Sequence, residues 1–376
     1  MNLIYCSLTK LEVGTQVCDS HLMASHQIVE DPKSHEITKI LSEISLPFDE
    51  QIMFCRFKNV MTPCEELFTK TVTDDGICYT FNMQEASEMY EKKAVAYSSD
   101  DKHPSSWNID DGYKNDKYEN YPHRATGSAL IGLNIVLKQK TSDLDYICRG
   151  PVQGFKVHIH RNDEPPAMSS DFYRVGMSEE TIIAIKSEVV NEIEDHECYD
   201  TNDHDLEFFE EYSQSKCELE CLAKFMKKEC GCVKFSLPHD ADTKVCNQHQ
   251  IECYNDATTK YLIKESFKTN YQCGCLPSCN HIEYTAEVSQ TEYHFDKVIS
   301  AYKAEDDDEI ADVVMSRLMI YMKDTHVREV REIAVNDKLS YYAQLGGLMA
   351  FFLGISLVSI VEVVYYIARA IMMKWL

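Results

Sequence analysis

Basic charge is scarce in this sequence, with 37 Lys and Arg against 62 Asp and Glu and a formal net charge of −25. Such a chain is poorly suited to nucleic acid, itself a polyanion. The acidity suits attraction of cations or basic ligands, or serves solubility alone. Catalytic signatures are missing too: there is no Gly-x-Ser-x-Gly elbow and no His-Glu-x-x-His zinc pair. Nothing singles out a catalytic pair among the many carboxylates, so a non-enzyme is expected and no cofactor is called for. Cys230-Gly-Cys232 and Cys273-Gly-Cys275 lack C-x₂-C spacing on both sides and nearby paired histidines, which argues against a zinc site. The N-terminal MNLIYCSLTKLEVGTQVCDS has neither the basic start nor the sustained apolar core of a signal peptide. No Asn-x-Ser/Thr sequon occurs, which is unusual for a long extracellular domain without excluding one. Upstream of Leu345 no segment is apolar for long enough to be expected to cross a membrane.

The exception is Leu345 to Ala368, LGGLMAFFLGISLVSIVEVVYYIA, which carries one ionisable residue, Glu362. A membrane helix needs about 20 mostly apolar residues, and this run is long enough to be read as one. A simple anchor has no use for Gly346, Gly347, Gly354, Ser356, Ser359 and a carboxylate that lipid penalises by about 2.5–3.5 kcal/mol. A helix packed against copies of itself around a watery path does. Sixteen cysteines are present, ten of them between Cys198 and Cys279. Such density beside a membrane span points to an oxidised, extracellular domain. Arg369 and Lys374 follow the run and the acidic stretch Glu305 to Glu309 precedes it, so the positive-inside rule puts the C-terminus in the cytoplasm.

Along the chain, Ile37, Ile40, Leu41 and Ile44 recur at helical spacing, and Tyr97 to Pro122 reads as a long polar loop. Ala129 to Leu137, Val152 to His160, Ile182 to Val190 and Val313 to Met322 read as strands, with Pro165-Pro166 at a turn. His158 and His160 read as polar positions on a solvent face, so no proton-sensing role is assigned to them. Lys216 to Lys228 reads as a helix with Cys217, Cys221 and Phe225 on one face. Cys273 and Cys275 share one face of a strand, so the two cysteine pairs are geometrically matched for parallel disulfides. A second helix begins within Asp296 to Tyr302, and His326 to Val335 reads as a strand leading to the membrane. The fold class is α+β, a disulfide-rich ectodomain with a helical section and one C-terminal transmembrane helix.

Four motifs then resemble the degenerin/epithelial sodium channel family, most closely its insect pickpocket branch. They are Gly76-Ile77-Cys78-Tyr79-Thr80-Phe81-Asn82; GFKVHIHRNDEPP from Gly154 to Pro166 with DFYRVGMSEETIIAIKSEVV after it; YSQSKCELECLAKFMKKECGCVKFSLP with CGCLPSC; and LGGLMAFFLGISLVSIVE. The resemblance implies a trimer, homomeric or mixed with related subunits, set in the lipid bilayer of the plasma membrane and conducting Na⁺. It implies a β-sheet palm and helical thumb in an extracellular domain over 1–338, with the thumb at about 198–279. A pre-pore segment and pore helix would follow over 339–369, and a cytoplasmic tail over 370–376. It implies disulfides Cys198–Cys279, Cys217–Cys275, Cys221–Cys273, Cys230–Cys253 and Cys232–Cys246, with Cys55–Cys64 closing a hairpin. Cys78 would pair with a cysteine near the first membrane helix, Cys6 or Cys18, and Cys148 is unassigned.

By the same resemblance Gly354, Ile355 and Ser356 match a Gly-x-Ser selectivity filter, in which fixed oxygens replace hydration water. Read from the residues alone, Gly354 and Ser356 could equally be small packing positions. Ala343, Gln344, Gly347, Phe351 and Glu362 would line the pore and gate. Ala343 holds a place kept small outside the gate, Gln344 replaces an Asp of acid-sensing relatives, and Glu362 would contribute to a ring of three carboxylates. The family's first membrane helix has no counterpart in this sequence. The leading expectation is therefore a subunit of an amiloride-sensitive type, sodium-selective channel. The alternative is a truncated, non-conducting ectodomain protein that joins or regulates complete subunits. The gating stimulus is left open.

Overall fold

The computed structural model describes residues 2–6, 16–18, 39–43, 45–95, 105, 107–110, 112–113, 121–144, 146, 149–169, 171–192, 198–266, 273–302, 312–332, 338–354 and 356–375. Glu305 to Glu309, Cys148, Ile355, Ile37, Ile44 and most of Tyr97 to Pro122 lie outside them. By internal contacts the chain divides into a body, 1–191 with 197–330, and a C-terminal unit, 331–376 with 192–196.

The body is α+β. One sheet consists of β1 (Asn2–Cys6), β4 (Phe68–Thr73), β5 (Gly76–Phe81), β9 (Phe155–His160) and β10 (Tyr173–Val175), in the order β10-β9-β1-β5-β4. All its pairings are antiparallel. The other holds β2 (Ile52–Phe57), β3 (Val60–Thr62), β8 (Leu133–Lys140), β11 (Glu179–Glu192), β12 (Asn280–Glu292) and β13 (Val313–Met322), in the order β12-β11-β13-β8-β2-β3, with β14 (Arg328–Glu332) also on β11. β13 runs parallel to β11 and antiparallel to β8. A short ribbon, β6 (Trp107–Asn108) with β7 (Gly112–Tyr113), stands apart from both sheets.

Period-two patterning decides which faces meet. Leu133, Ile135 and Leu137 of β8, Leu318 and Ile320 of β13, and Ile183 and Ile185 of β11 join Phe68, Tyr79, Phe81, Phe155 and Val157 of the other sheet in one buried cluster. The two sheets therefore share a single core.

The helical section of the body holds α1 (Gln214–Cys230) and α2 (Ile251–Ser266). Cys221 and Phe225 of α1 are buried together with Ala257 and Tyr261 of α2, and Cys217 is buried as well. The Ser213 side chain accepts the Lys216 N–H to start α1, and Gly231 ends it in the left-handed region at φ 70°. α3 (Phe295–Tyr302) lies between β12 and β13. The C-terminal unit carries α4 (Lys338–Leu353) and α5 (Leu357–Trp375).

Several strands begin or extend elsewhere than apolar composition suggests. β8 starts at Leu133, not at Ala129, because 129–132 form a turn. β9 starts at Phe155. β12 was not read from sequence although Ile282, Tyr284, Ala286 and Val288 alternate with polar residues, and neither was α2; the strand order places β12 at the sheet edge.

Candidate functional site

The apolar run is not one helix. Gly354 adopts φ +65°, and its N–H makes a final 3.0 Å bond to the Ala350 carbonyl. Nothing lies within 4 Å of a β-carbon placed there, so the glycine is required by backbone conformation rather than by space. Two residues on, Ser356 starts α5. Its Oγ accepts the Ser359 N–H at 3.3 Å, the Ser359 Oγ accepts the Ser356 N–H at 3.4 Å, and the Ser356 carbonyl accepts the Ile360 N–H at 3.3 Å. This is a reciprocal cap of the capping-box kind, with serine in the place of glutamate.

The segments Leu339–Leu353 and Val358–Lys374 meet at 83°. Among the described residues no single helix is long and apolar enough to cross a membrane, although this bent pair meets the length and composition together. The expectation of one continuous span is thus corrected. Hydropathy counts apolar residues, whereas helix continuity depends on backbone and capping groups at Gly354 and Ser356.

Ala343, Gly347, Ala350 and Gly354 stand at i, i+4, i+7 and i+11, a stripe of small residues along α4. Gln344 Nε2 donates to the Ser340 Oγ at 3.3 Å. Phe351 packs edge-on against Phe352, centroids 5.1 Å apart, and both are exposed. On α5, Ser359, Glu362, Tyr366 and Arg369 stand at i, i+3, i+7 and i+10, so its polar groups share one stripe among apolar neighbours. The end of α4 presents main-chain carbonyls without intrahelical partners, at the negative pole of the helix. No basic residue lies in its last turn.

In the body, disulfides join Cys55–Cys64, Cys198–Cys279, Cys217–Cys275, Cys221–Cys273, Cys230–Cys253 and Cys232–Cys246. Cys18 and Cys78 are disulfide-bonded as well. β1 pairs with β5 and places Cys6 opposite Cys78 in register.

Sequence reading missed a buried charge cluster at the start of α1. Arg161 grips Asp163 through Nε–H to Oδ1 at 3.0 Å and Nη2–H to Oδ2 at 2.5 Å, and its Nη1 lies 3.5 Å from Glu164 Oε1. Lys216, 1% exposed, donates Nζ–H to the Glu211 carbonyl at 3.2 Å. Burial pushes the Asp163 carboxyl up, but the Arg161 and Lys216 charges outweigh it and hold it below its usual range. Burial lowers Lys216 and raises Glu211. Helical periodicity offered a signal: Lys216 and Glu220 flank the cysteine face at i and i+4, and Glu220 accepts the backbone N–H groups of Glu207 and Phe208.

His158 and His160 are buried rather than solvent-facing, at 8% and 6% exposure. Their Nδ1 atoms bond to carbonyls of Asp171 and Glu164, in the segment after β9. Strand alternation reports a face but not what covers it.

The family model described as "Amiloride-sensitive sodium channel" matches residues 7–366. The chain is 26% identical over 361 residues to Pickpocket protein 28 of Drosophila melanogaster, covering 87% of this chain and 57% of that protein. It is 24% identical over 364 residues to the Drosophila melanogaster sodium channel protein Nach, covering 90% and 63%. Over 390 residues it is 24% identical to acid-sensing ion channel 2 of Rattus norvegicus, covering 98% and 68%. The chain thus spans about three-fifths of the length of the first two relatives. With the motifs, the α+β fold and the disulfide framework, this match makes the chain a pickpocket-like member of the amiloride-sensitive sodium channel, or degenerin/epithelial sodium channel, family.

Proposed function

We propose that this chain is a subunit of a sodium-selective, amiloride-sensitive cation channel of the plasma membrane, with its disulfide-rich body outside and its C-terminus in the cytoplasm. The observation that carries this reading is the break at Gly354 and Ser356 inside the apolar run. In lipid, non-helical backbone is tolerated only where it is buried in protein or lines a water-filled path. The stripe of Ala343, Gly347, Ala350 and Gly354 lets copies of α4 approach closely, as a trimeric assembly with itself or related subunits requires.

Carbonyls at the end of α4 and the Ser356 hydroxyl supply fixed oxygens that exchange for the hydration shell of Na⁺. No basic residue lies in the last turn of α4, which suits its negative pole to a permeant ion. A ring of Glu362 carboxylates draws cations, and the net charge of −25 raises their local concentration.

The test is voltage-clamp recording of the chain expressed alone and with a full-length relative. Na⁺ current blocked by amiloride is expected. Ser356→Ala and Glu362→Gln should lower the Na⁺ to K⁺ permeability ratio, and Ala343→Val should raise open probability. Assembly at the surface with reversal potentials indifferent to Ser356→Ala and Glu362→Gln would overturn the pore assignment and leave a regulatory partner.

A further inference from the structure

A groove of about 440 Å³ opens on the body, lined by the β2–β3 hairpin, by Lys138 of β8 and by the helical turns Phe48–Gln51 and Cys64–Leu67. Phe48, Ile52, Met53, Phe54, Met61 and Pro63 make its apolar lining. The fold holds much of that lining in place. Phe48 packs on Tyr79 with ring centroids 4.7 Å apart, Ile52 belongs to the shared core, and the Cys55–Cys64 disulfide closes the hairpin. Met53 and Met61, by contrast, are 45% and 60% exposed. Two thioethers open to solvent on a concave apolar surface suit an aromatic ligand, because methionine adapts its shape and its sulfur contacts ring edges favourably. Three charged groups line the same groove, Asp49, Glu65 and Lys138. Glu50 nearby is paired with Lys140 at 3.2 Å. Asp49, Glu65 and Lys138 form no ion pair among the described residues, so two carboxylates against one ammonium leave the groove net negative.

We propose that this groove binds a small organic monocation, an ammonium carried on an aromatic body, with the aromatic part on the apolar lining and the ammonium toward Asp49 and Glu65. The volume falls in the range of small-molecule sites, roughly 300–1,000 Å³. The charges choose among ligands of that size. An anion meets two carboxylates for one ammonium, and a neutral ligand leaves the net negative charge unanswered. Lys138 disfavours a second positive group on the ligand, which makes a single charge the better match. The rings of Phe48 and Phe54 add a face that attracts a cation. The β2–β3 hairpin and β8 are neighbours in one sheet, so a ligand seated across them favours the folded body by mass action. The proposal stands apart from the pore assignment, since it rests on the body alone.

The experiment is calorimetric titration of the purified full chain, in detergent, with naphthylmethylammonium and with its uncharged analogue naphthylmethanol. Saturable binding of the ammonium is expected, tighter than that of the alcohol and weakened by added salt. Asp49→Asn and Glu65→Gln should each weaken the ammonium about threefold, and together roughly tenfold, with the alcohol unchanged. Lys138→Gln should tighten the ammonium. These are surface charges, so the variants fold, and uptake of the probe by detergent is the same for all of them. Sedimentation of the same samples reads the other occupant, a second copy of the chain. Equal affinity for ammonium and alcohol, or wild-type affinity in the Asp49→Asn, Glu65→Gln double variant, would overturn the proposal. So would an oligomer that Met61→Lys dissociates and the ammonium does not, since the groove would then be covered by a second copy.

Discussion

Two helices of this protein stop in the same way and to different ends. α1 begins at Ser213, whose Oγ accepts the Lys216 N–H at 3.3 Å, and ends at Gly231, φ 70°, whose N–H bonds to the Lys227 carbonyl at 3.0 Å. α4 ends at Gly354, φ +65°, with a 3.0 Å bond to Ala350, and α5 begins at Ser356 with a 3.3 Å cap. The surroundings differ. After Gly231 the chain turns into buried Cys232, disulfide-bonded to Cys246, and Lys227 and Lys228 complement the negative pole of α1. After Gly354 comes the Ser356–Ser359 cap, and no basic residue stands in the last turn of α4. One stop is flanked by basic residues and stapled by a disulfide; the other has neither a basic residue in its last turn nor a cysteine beside it. Local capping chemistry thus sets where a helix ends, and the environment sets what the end is for.

The largest test of that contrast removes the staples. Replacing Cys217 and Cys275 with Ala opens a loop closed across 58 residues and should cost about 2–5 kcal/mol. Thermal unfolding of the purified chain would show it as a lowered Tm, together with reduced surface expression. Acid acts on the body through His160, whose pKa burial lowers from 6.5 to about 3. The unfolded chain takes up a proton below pH 6.5 that the folded chain refuses. This contribution is therefore complete above pH 6.5 and lost as pH falls toward 3, amounting to about 2 kcal/mol by pH 5. Denaturant midpoints measured from pH 7 to pH 4 should decline, and less steeply in His160→Gln.

Glycine substitutions compare the two stops directly. No atom lies within 4 Å of an added β-carbon at Gly231 or Gly354, so alanine meets only backbone strain, about 1–2 kcal/mol at each. Gly231→Ala should lower Tm and leave ion selectivity alone, whereas Gly354→Ala should shift the reversal potential. Equal effects on selectivity would erase the distinction. The smallest effect belongs to the caps. Ser213→Ala should cost about 1 kcal/mol of stability, measurable by denaturant titration, while Ser356→Ala should register mainly in permeation.

Much of the framework is legible along the chain. Cysteines four apart in Lys216 to Lys228 mark a helix face, and the structure links Cys217 to Cys275 and Cys221 to Cys273; the strand expected at Cys273 and Cys275 is instead a turn with Gly274 at φ 60°, and β12 begins only at Asn280. Val313 to Met322 forms β13 over its whole length, because a nearly continuous apolar run, interrupted only by Ser316 and Arg317, suits a strand in the interior of the sheet between β11 and β8. β12 carried a signal that went unread: Ile282, Tyr284, Ala286 and Val288 alternate with polar residues, and Tyr284 and Ala286 pack on the core.

By itself, then, the sequence determined the main secondary-structure periods, the cysteine face of α1, the charge balance and the existence of one apolar run, since each depends on neighbours within a few residues. Only the tertiary structure decided that His158 and His160 are covered, that Lys216 lies buried in the charge cluster of Arg161, Asp163 and Glu211, and that the apolar run bends by 83° at Gly354. Burial and bond partners depend on which distant segment folds over a face, and no local period encodes that.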